Sequence, residues 1–220
     1  MKRTIVTLAL AALASTQATA QTFSSKALFL GAAGPAAYTE TFETLSGPYV
    51  KDSYGYASMT LAGITYSALA GVPRHNLGVS SPGYVNYGAG LNPTTSSILT
   101  SNGDEWFRLT FASPTYAVGF DTYGNGLGPM VTSFYNGATL LGSISYNGAA
   151  ALGFAGFLSS GSTQITSVEF QSTLGGQLNT GIDNVLVYDT PTSSVPEPAS
   201  ILLMASGLVA VGAVARRRRR

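Results

Sequence analysis

His75, in Val72-Pro73-Arg74-His75-Asn76, is the single histidine of the chain and the one side chain whose ordinary pKa lies near neutrality. A serine hydrolase would need it beside a nucleophile and a carboxylate, but no Gly-x-Ser-x-Gly elbow is present. One histidine excludes zinc held by several imidazoles. The absence of cysteine excludes thiolate zinc sites, iron–sulfur clusters and thiol catalysis. Asp104-Glu105 supplies two carboxylates, as glycoside hydrolysis requires, yet neighbours along a strand point to opposite faces, so the pair reads as a solvated turn. Asp121-Thr122-Tyr123-Gly124-Asn125-Gly126 alternates oxygen donors without the acidic density of a calcium loop, and reads as a loop. No catalytic residue emerges, and the expectation is a protein that is not an enzyme, with a hydrolase as the lesser alternative. Among the twelve tyrosines, Tyr49, Tyr54, Tyr56, Tyr84 and Tyr87 fall in the loop-rich first half. Such rings can stack on sugars, and they are equally ordinary strand residues. The sequence leaves the ligand open.

These groups must be held by a chain whose two ends have a different purpose. Met1-Lys2-Arg3 is a basic n-region, Thr4 to Ser15 an apolar h-region, and Ala18-Thr19-Ala20 a small-x-small cleavage site, so residues 1–20 read as a signal peptide. At the other end, seventeen uncharged residues run from Ala199 to Ala215, followed by Arg216, Arg217, Arg218, Arg219 and Arg220. As a helix that stretch would span roughly 26 Å, just short of the ~30 Å hydrocarbon core. Snorkelling arginine stems or local thinning closes the gap. Basic residues resist translocation, so the arginine block reads as a stop-transfer element behind a transmembrane helix.

Between the ends, residues 21–195 carry four basic and nine acidic side chains, a formal charge of −5, whereas the whole chain is +1. The positive charge belongs to the targeting segments. An acidic domain of this kind makes nucleic acid a poor partner. About 175 residues suffice for one domain. Without disulfides, its stability must come from a hydrophobic core, with or without a metal.

The pattern from Thr39 to Asp189 is of short apolar runs cut by Gly, Asn, Pro and Ser, with no helical period sustained over three turns. In Trp106-Phe107-Arg108-Leu109-Thr110-Phe111, Phe107, Leu109 and Phe111 share one face and Trp106, Arg108 and Thr110 the other. Tyr116, Val118 and Phe120 align similarly, and the small residues between them leave room for a second sheet or a loop to cover that side. Asn136-Gly137 predicts a two-residue hairpin turn between Val131–Tyr135 and Thr139–Tyr146. After Asn147-Gly148 a strand is expected near Gly153-Phe154, and Ile165–Ser172 and Gly181–Tyr188 read as two more, the last apolar on both faces and therefore central. Leu69 to Thr95 reads as long loops. Seven to ten such strands without intervening helices predict an all-β, antiparallel two-sheet sandwich, jelly-roll-like, with a closed barrel as the alternative. The expected order is signal peptide 1–20, lead-in 21–38, sandwich 39–189, linker 190–195 and tail 196–220.

Two resemblances sharpen this reading. Pro196-Glu197-Pro198, then one apolar helix, then an arginine cluster, all adjacent at the carboxyl end, resemble the PEP-CTERM sorting signal of exported bacterial proteins. That resemblance implies an exosortase-type processing enzyme as partner, an anchor in the inner membrane during transit, and a final place on the outer surface or outside the cell. A permanently anchored single-pass protein is the alternative. Glu43, in Thr41-Phe42-Glu43-Thr44, and Asp183, in Gly181-Ile182-Asp183-Asn184-Val185, resemble the paired terminal segments of jelly-roll carbohydrate-binding modules. The resemblance implies that Glu43 and Asp183 hold a structural calcium ion joining the first strand to the last, and it makes polysaccharide a candidate partner; the association of PEP-CTERM systems with exopolysaccharide implies a structural or carbohydrate-binding role in an extracellular matrix.

Overall fold

The computed structural model describes residues 20–69, 76–86, 89–92, 94–102, 106–123, 129–147, 152–172 and 181–190. In chain order the elements are β1 (Gln21–Phe23), α1 (Lys26–Ala33), β2 (Tyr38–Glu40), β3 (Tyr54–Tyr56), β4 (Ser58–Leu61), β5 (Ile64–Ala68), β6 (Asn76–Ser80), β7 (Val85–Asn86) and β8 (Ala89–Leu91). They continue as β9 (Ile98–Asn102), β10 (Phe107–Thr115), β11 (Ala117–Tyr123), β12 (Pro129–Asn136), β13 (Thr139–Asn147), β14 (Leu152–Leu158), β15 (Ile165–Ser172) and β16 (Gly181–Tyr188). One sheet runs β1-β14-β11-β16-β9-β6-β3 with β2 also on β16, a second runs β13-β12-β15-β10-β5-β4, and β7-β8 is a small ribbon. All pairings are antiparallel, so the expected two-sheet sandwich is what forms.

Alternation in the strands decides what lies between the sheets. Phe107, Leu109 and Phe111 of β10 turn inward with Val168 and Phe170 of β15, Val118 and Phe120 of β11, and Ile182, Val185 and Val187 of β16. The Phe107 and Phe170 rings stack at 4.8 Å as cross-strand partners, and Phe134 stacks at 5.0 Å on Phe157 of the opposite sheet. Removing one such ring leaves a cavity worth about 3–5 kcal/mol. At the predicted hairpin, Asn136 pairs with Thr139 across Gly137 (φ 57) and Ala138, where glycine accepts the left-handed backbone.

Residues 21–38, expected as a lead-in, are built into the fold. β1 pairs with β14, and α1, capped by the Ser25 hydroxyl and ended at Gly34 (φ 76), lies on the outer face of the larger sheet. Phe29 of this helix is buried on Phe154, Tyr188 and Leu186. The cross-strand pair Gly119 and Gly156 makes room for it: a Cβ on either would come within 2.8 Å of the Phe29 ring. The helix explains why β16 is apolar on both faces, and β16 is central as expected.

Other expectations are corrected. Leu69–Thr95, read as loops, contains β6, whose Leu77 and Val79 are fully buried. Asp121, read as the start of a loop, lies within β11. The described residues hold sixteen strands rather than seven to ten, because many span only two to four residues, too short to show a period. The signal peptide up to residue 19, Pro196, Glu197, Pro198, the apolar tail and Arg216 to Arg220 lie outside the described residues, as do His75, Asp104, Glu105, Asn125 and Tyr87. Among the described residues no helix is long and apolar enough to cross a membrane.

Candidate functional site

The two carboxylates singled out from the sequence both lie at a seam in the larger sheet, where Asp183 bonds to Ser96 and Glu43 to Ser97 rather than to one another. One edge of β16 pairs with β2 at Val185–Val187 and with β9 at Gly181–Ile182, so β2 and β9 act as one strand with a break in it. Opposite the break, β16 bulges: Gly119 faces Leu186 but Asp121 faces Asp183, and Asn184 takes up the extra residue at φ 49. Asparagine tolerates that conformation better than most residues. The chain leaves β2 where Glu40 Oε1 accepts the Phe42 N–H at 2.8 Å, and Phe42 (φ 56) buries its ring against Tyr66. Glu43 then reaches across to the start of β9, its carboxylate accepting the Ser97 N–H at 2.7 Å and the Ser97 hydroxyl at 3.0 Å. Lys51 Nζ donates to Glu43 Oε2 at 3.0 Å and to Ser97 Oγ at 2.7 Å.

Asp183 is fully buried at this seam. Its Oδ2 accepts from the Ser96 hydroxyl at 2.6 Å and from Asn184 Nδ2 at 3.1 Å, and its Oδ1 from the Asn184 N–H at 2.6 Å. Asn184 Nδ2 also donates to Asp121 Oδ2 at 2.8 Å, and Lys26 of α1 pairs with that same oxygen at 2.7 Å. Burial pushes the Asp183 carboxyl up, and the charges of Asp121 and Glu43 add to the effect although Ser96 and Asn184 offset part of it. The Ser97 N–H, aided by Lys51, holds the Glu43 carboxyl below the ordinary carboxylate value despite some desolvation.

A calcium ion takes about six to eight oxygen ligands, several of them carboxylate or carbonyl. Here both oxygens of Glu43 and both of Asp183 already accept protein hydrogens. The Ser96 carbonyl between them accepts from Asn92 Nδ2 and Thr94 Oγ1. Among the described residues no group of three or more His, Asp or Glu gathers closely enough to hold a metal ion. The donors are the right element in too small a number, and an ammonium stands on one of them, so these residues do not fit the ion.

The loop tyrosines pair in space. Tyr49 meets Tyr56 edge to face at 5.2 Å, and Tyr54 stacks with Tyr84 at 6.0 Å. Their hydroxyls turn to the protein: Tyr49 accepts the Thr60 N–H, Tyr56 accepts the Val50 N–H, Tyr84 donates to the Asp52 carbonyl, and Tyr54 contacts the Ser80 hydroxyl. Burial pushes Tyr54 up to about 12. These rings pin the loop between β2 and β3 to β4 and β6.

The polar face that remains is the outer side of the six-stranded sheet. Strand alternation that sends Phe107 and Leu109 inward puts Trp106, Arg108 and Thr110 outside, beside Ser167, Glu169 and Gln171 of β15. Ser67, Arg108, Glu169 and Ser133 follow one another across four strands in register. Arg108 Nε donates to Glu169 Oε1 at 3.0 Å with Nη2 on the same oxygen, and Gln171 Nε2 donates to Glu169 Oε2 at 3.1 Å. Glu169 is 13% exposed under a guanidinium that is 43% exposed, so the carboxylate orients while the arginine faces outward. Trp106, half-buried, immediately precedes β10, its carbonyl accepting the Leu69 N–H. The sequence displayed the outward alternation of Trp106, Arg108 and Thr110, but gave no sign that Glu169 and Gln171 lie next to them. Lys51, Ser96 and Ser97 were likewise missed, since their contacts are long-range.

The arrangement is that of an antiparallel β-sandwich with polar residues on the outer side of the six-stranded sheet. It is similar in fold to the CBM29-2 carbohydrate-binding module in a lysine-to-alanine variant (12% identity, 73% of this chain and 95% of that one, TM-score 0.36). It is also similar to a charge-reversal mutant of a family 29 carbohydrate-binding module (14%, 74% and 99%, 0.38) and to TmCBM61 in complex with β-1,4-galactotriose (13%, 59% and 90%, 0.31). No curated protein matches the chain. Residues 194–220 match the PEP-CTERM protein-sorting motif, so the chain carries an export-sorting signal at its carboxyl end.

Proposed function

We propose that this is an exported, non-catalytic protein whose sandwich binds polysaccharide on the outer face of the six-stranded sheet. The sorting motif at residues 194–220 supports delivery outside the inner membrane, with an exosortase-type enzyme cutting near Pro196-Glu197-Pro198 and the apolar tail serving as a transit anchor. The observation that carries the binding role is the Arg108–Glu169–Gln171 cluster beside Trp106. A planar guanidinium, an amide and a carboxylate on a flat sheet can bond to sugar hydroxyls, and an indole face gives a ring apolar surface to lie on. The setting would be an exopolysaccharide or biofilm matrix.

Affinity electrophoresis of the purified protein through gels containing matrix polysaccharide tests the binding role. Retardation that Trp106→Ala abolishes supports it. A protein that migrates unretarded in every glycan gel, or a Trp106→Ala variant retarded like the wild type, refutes it. Delivery is tested separately by the intact mass of protein recovered from the host surface or medium. Loss of everything beyond the Pro-Glu-Pro region supports sorting and release, and retention of Arg216 to Arg220 makes the protein a permanent single-pass membrane protein.

A further inference from the structure

We propose that Lys51 is the resident cation of the seam between β2 and β9, so that the sandwich closes this joint with its own ammonium and without calcium. Lys51 Nζ lies 3.0 Å from Glu43 Oε2 and 2.7 Å from Ser97 Oγ, and Ser97 itself bonds Glu43 through both N–H and hydroxyl. Carboxylate, ammonium and hydroxyl thus form a closed triangle between the segment leaving β2 and the segment entering β9. A metal ion bridging two strand ends would occupy the same position and do the same mechanical work.

The ammonium is delivered by an anchored loop. Asp52, directly after Lys51, adopts φ 60, donates its N–H to the Val79 carbonyl at 2.7 Å and accepts the Ser81 N–H on Oδ1 at 2.7 Å. The hydroxyl of Tyr84 holds the Asp52 carbonyl from the other side. The Lys51 backbone therefore cannot swing away without breaking bonds to β6. A divalent ion arriving at Glu43 would meet a like charge about 3 Å from the oxygen it needs, and would have to expel it. Asp183, on the inner side of the seam, is served by neutral donors from Ser96 and Asn184, and the nearest cation in its chain of bonds is Lys26, through Asn184 and Asp121. Each carboxylate of the seam is matched within the protein.

Calorimetric melting of the purified full chain tests this, with calcium chloride and EDTA as the only additives. The expected result is one wild-type Tm in excess EDTA and in millimolar calcium, and a Tm lower by about 3 °C or more in Lys51→Met, with Lys51→Arg melting between the two. A wild-type Tm that falls in EDTA or rises with calcium overturns the proposal, as does a Lys51→Met protein that melts with the wild type. Should Lys51→Met not fold, calorimetric titration of the wild type with calcium chloride decides: saturable heat overturns the proposal, and its absence upholds it.

Discussion

Two carboxylate–cation pairs, Glu43–Lys51 at the seam and Arg108–Glu169 on the outer sheet face, have similar chemistry, with a partly exposed cation in each. They differ in what they connect. Glu43 and Lys51 lie in the one connection between β2 and β3, and together they tie it to Ser97 at the entrance to β9, a segment that no strand pairing joins to it. Arg108 and Glu169 stand on neighbouring strands that the β10–β15 ladder already holds in register. A polar pair whose partners would otherwise drift apart supports the fold, whereas a pair on a ladder that is already complete is free to meet a ligand. Exposure of the cation alone would not have separated them.

The largest expected effect falls on the sheet face. Trp106→Ala should weaken polysaccharide binding by about tenfold or more, and Arg108→Ala by somewhat less, with unfolding in urea shifted little in either. If binding and stability fell together, the contrast between the two regions would collapse. At the seam the reverse should hold: Glu43→Ala, which strands the Ser97 N–H, should lower stability by about 1–2 kcal/mol, the lower part of the range because the carboxylate is half-exposed, and leave glycan retardation unchanged.

Acid unfolding separates the seam's two carboxylates by sign. Glu43, whose carboxyl is held low, contributes stability that is complete above the ordinary value of 4.5 and is lost as pH falls through its lower native value. Asp183, pushed up by burial, does the opposite: between its ordinary 3.8 and its higher native value the fold gains stability as pH falls. Glu43→Gln should therefore flatten the loss of stability below about pH 4.5, while Asp183→Asn should steepen it, as read by urea midpoints across that range. Parallel shifts in the two variants would contradict the assignment.

The smallest effect is expected in the core behind the seam. Tyr66 is fully buried and its hydroxyl has no hydrogen-bond partner among the described residues, so Tyr66→Phe should be neutral or raise stability by up to about 1 kcal/mol, measured by thermal melting. A clear loss would mean that the hydroxyl takes part in the Tyr38–Glu40 turn that leads into the seam.

Much of the strand content was legible because period two is a local property. β15 and β16 begin and end at the residues read from alternation, and the Asn136-Gly137 hairpin turns within one residue of its expected place. The small residues at Ala117 and Gly119 were read as room for a second sheet or a loop, whereas the cover is α1, an eight-residue helix too short to show its period. β6 went unread because glycine and serine interrupt its two core residues, Leu77 and Val79. Glu43 and Asp183 were chosen from opposite ends of the domain and do share one seam, yet Lys51, which decides how that seam is neutralised, carries no local mark.

By itself, the sequence determined the sorting motif at the carboxyl end, the disulfide-free acidic composition between the ends, the inward faces of the long strands and the centrality of β16. Each of these depends on composition or on residues a few positions apart. Only the tertiary structure decided that β2 and β9 share one edge of β16, that Lys51 reaches Glu43 there, and that Trp106 and Arg108 acquire Glu169 and Gln171 as neighbours. Strand pairing brings Arg108 to Glu169, 61 positions on, and the seam brings the Glu43 carboxylate to Ser97, 54 positions on, and nothing in either local segment encodes the partner.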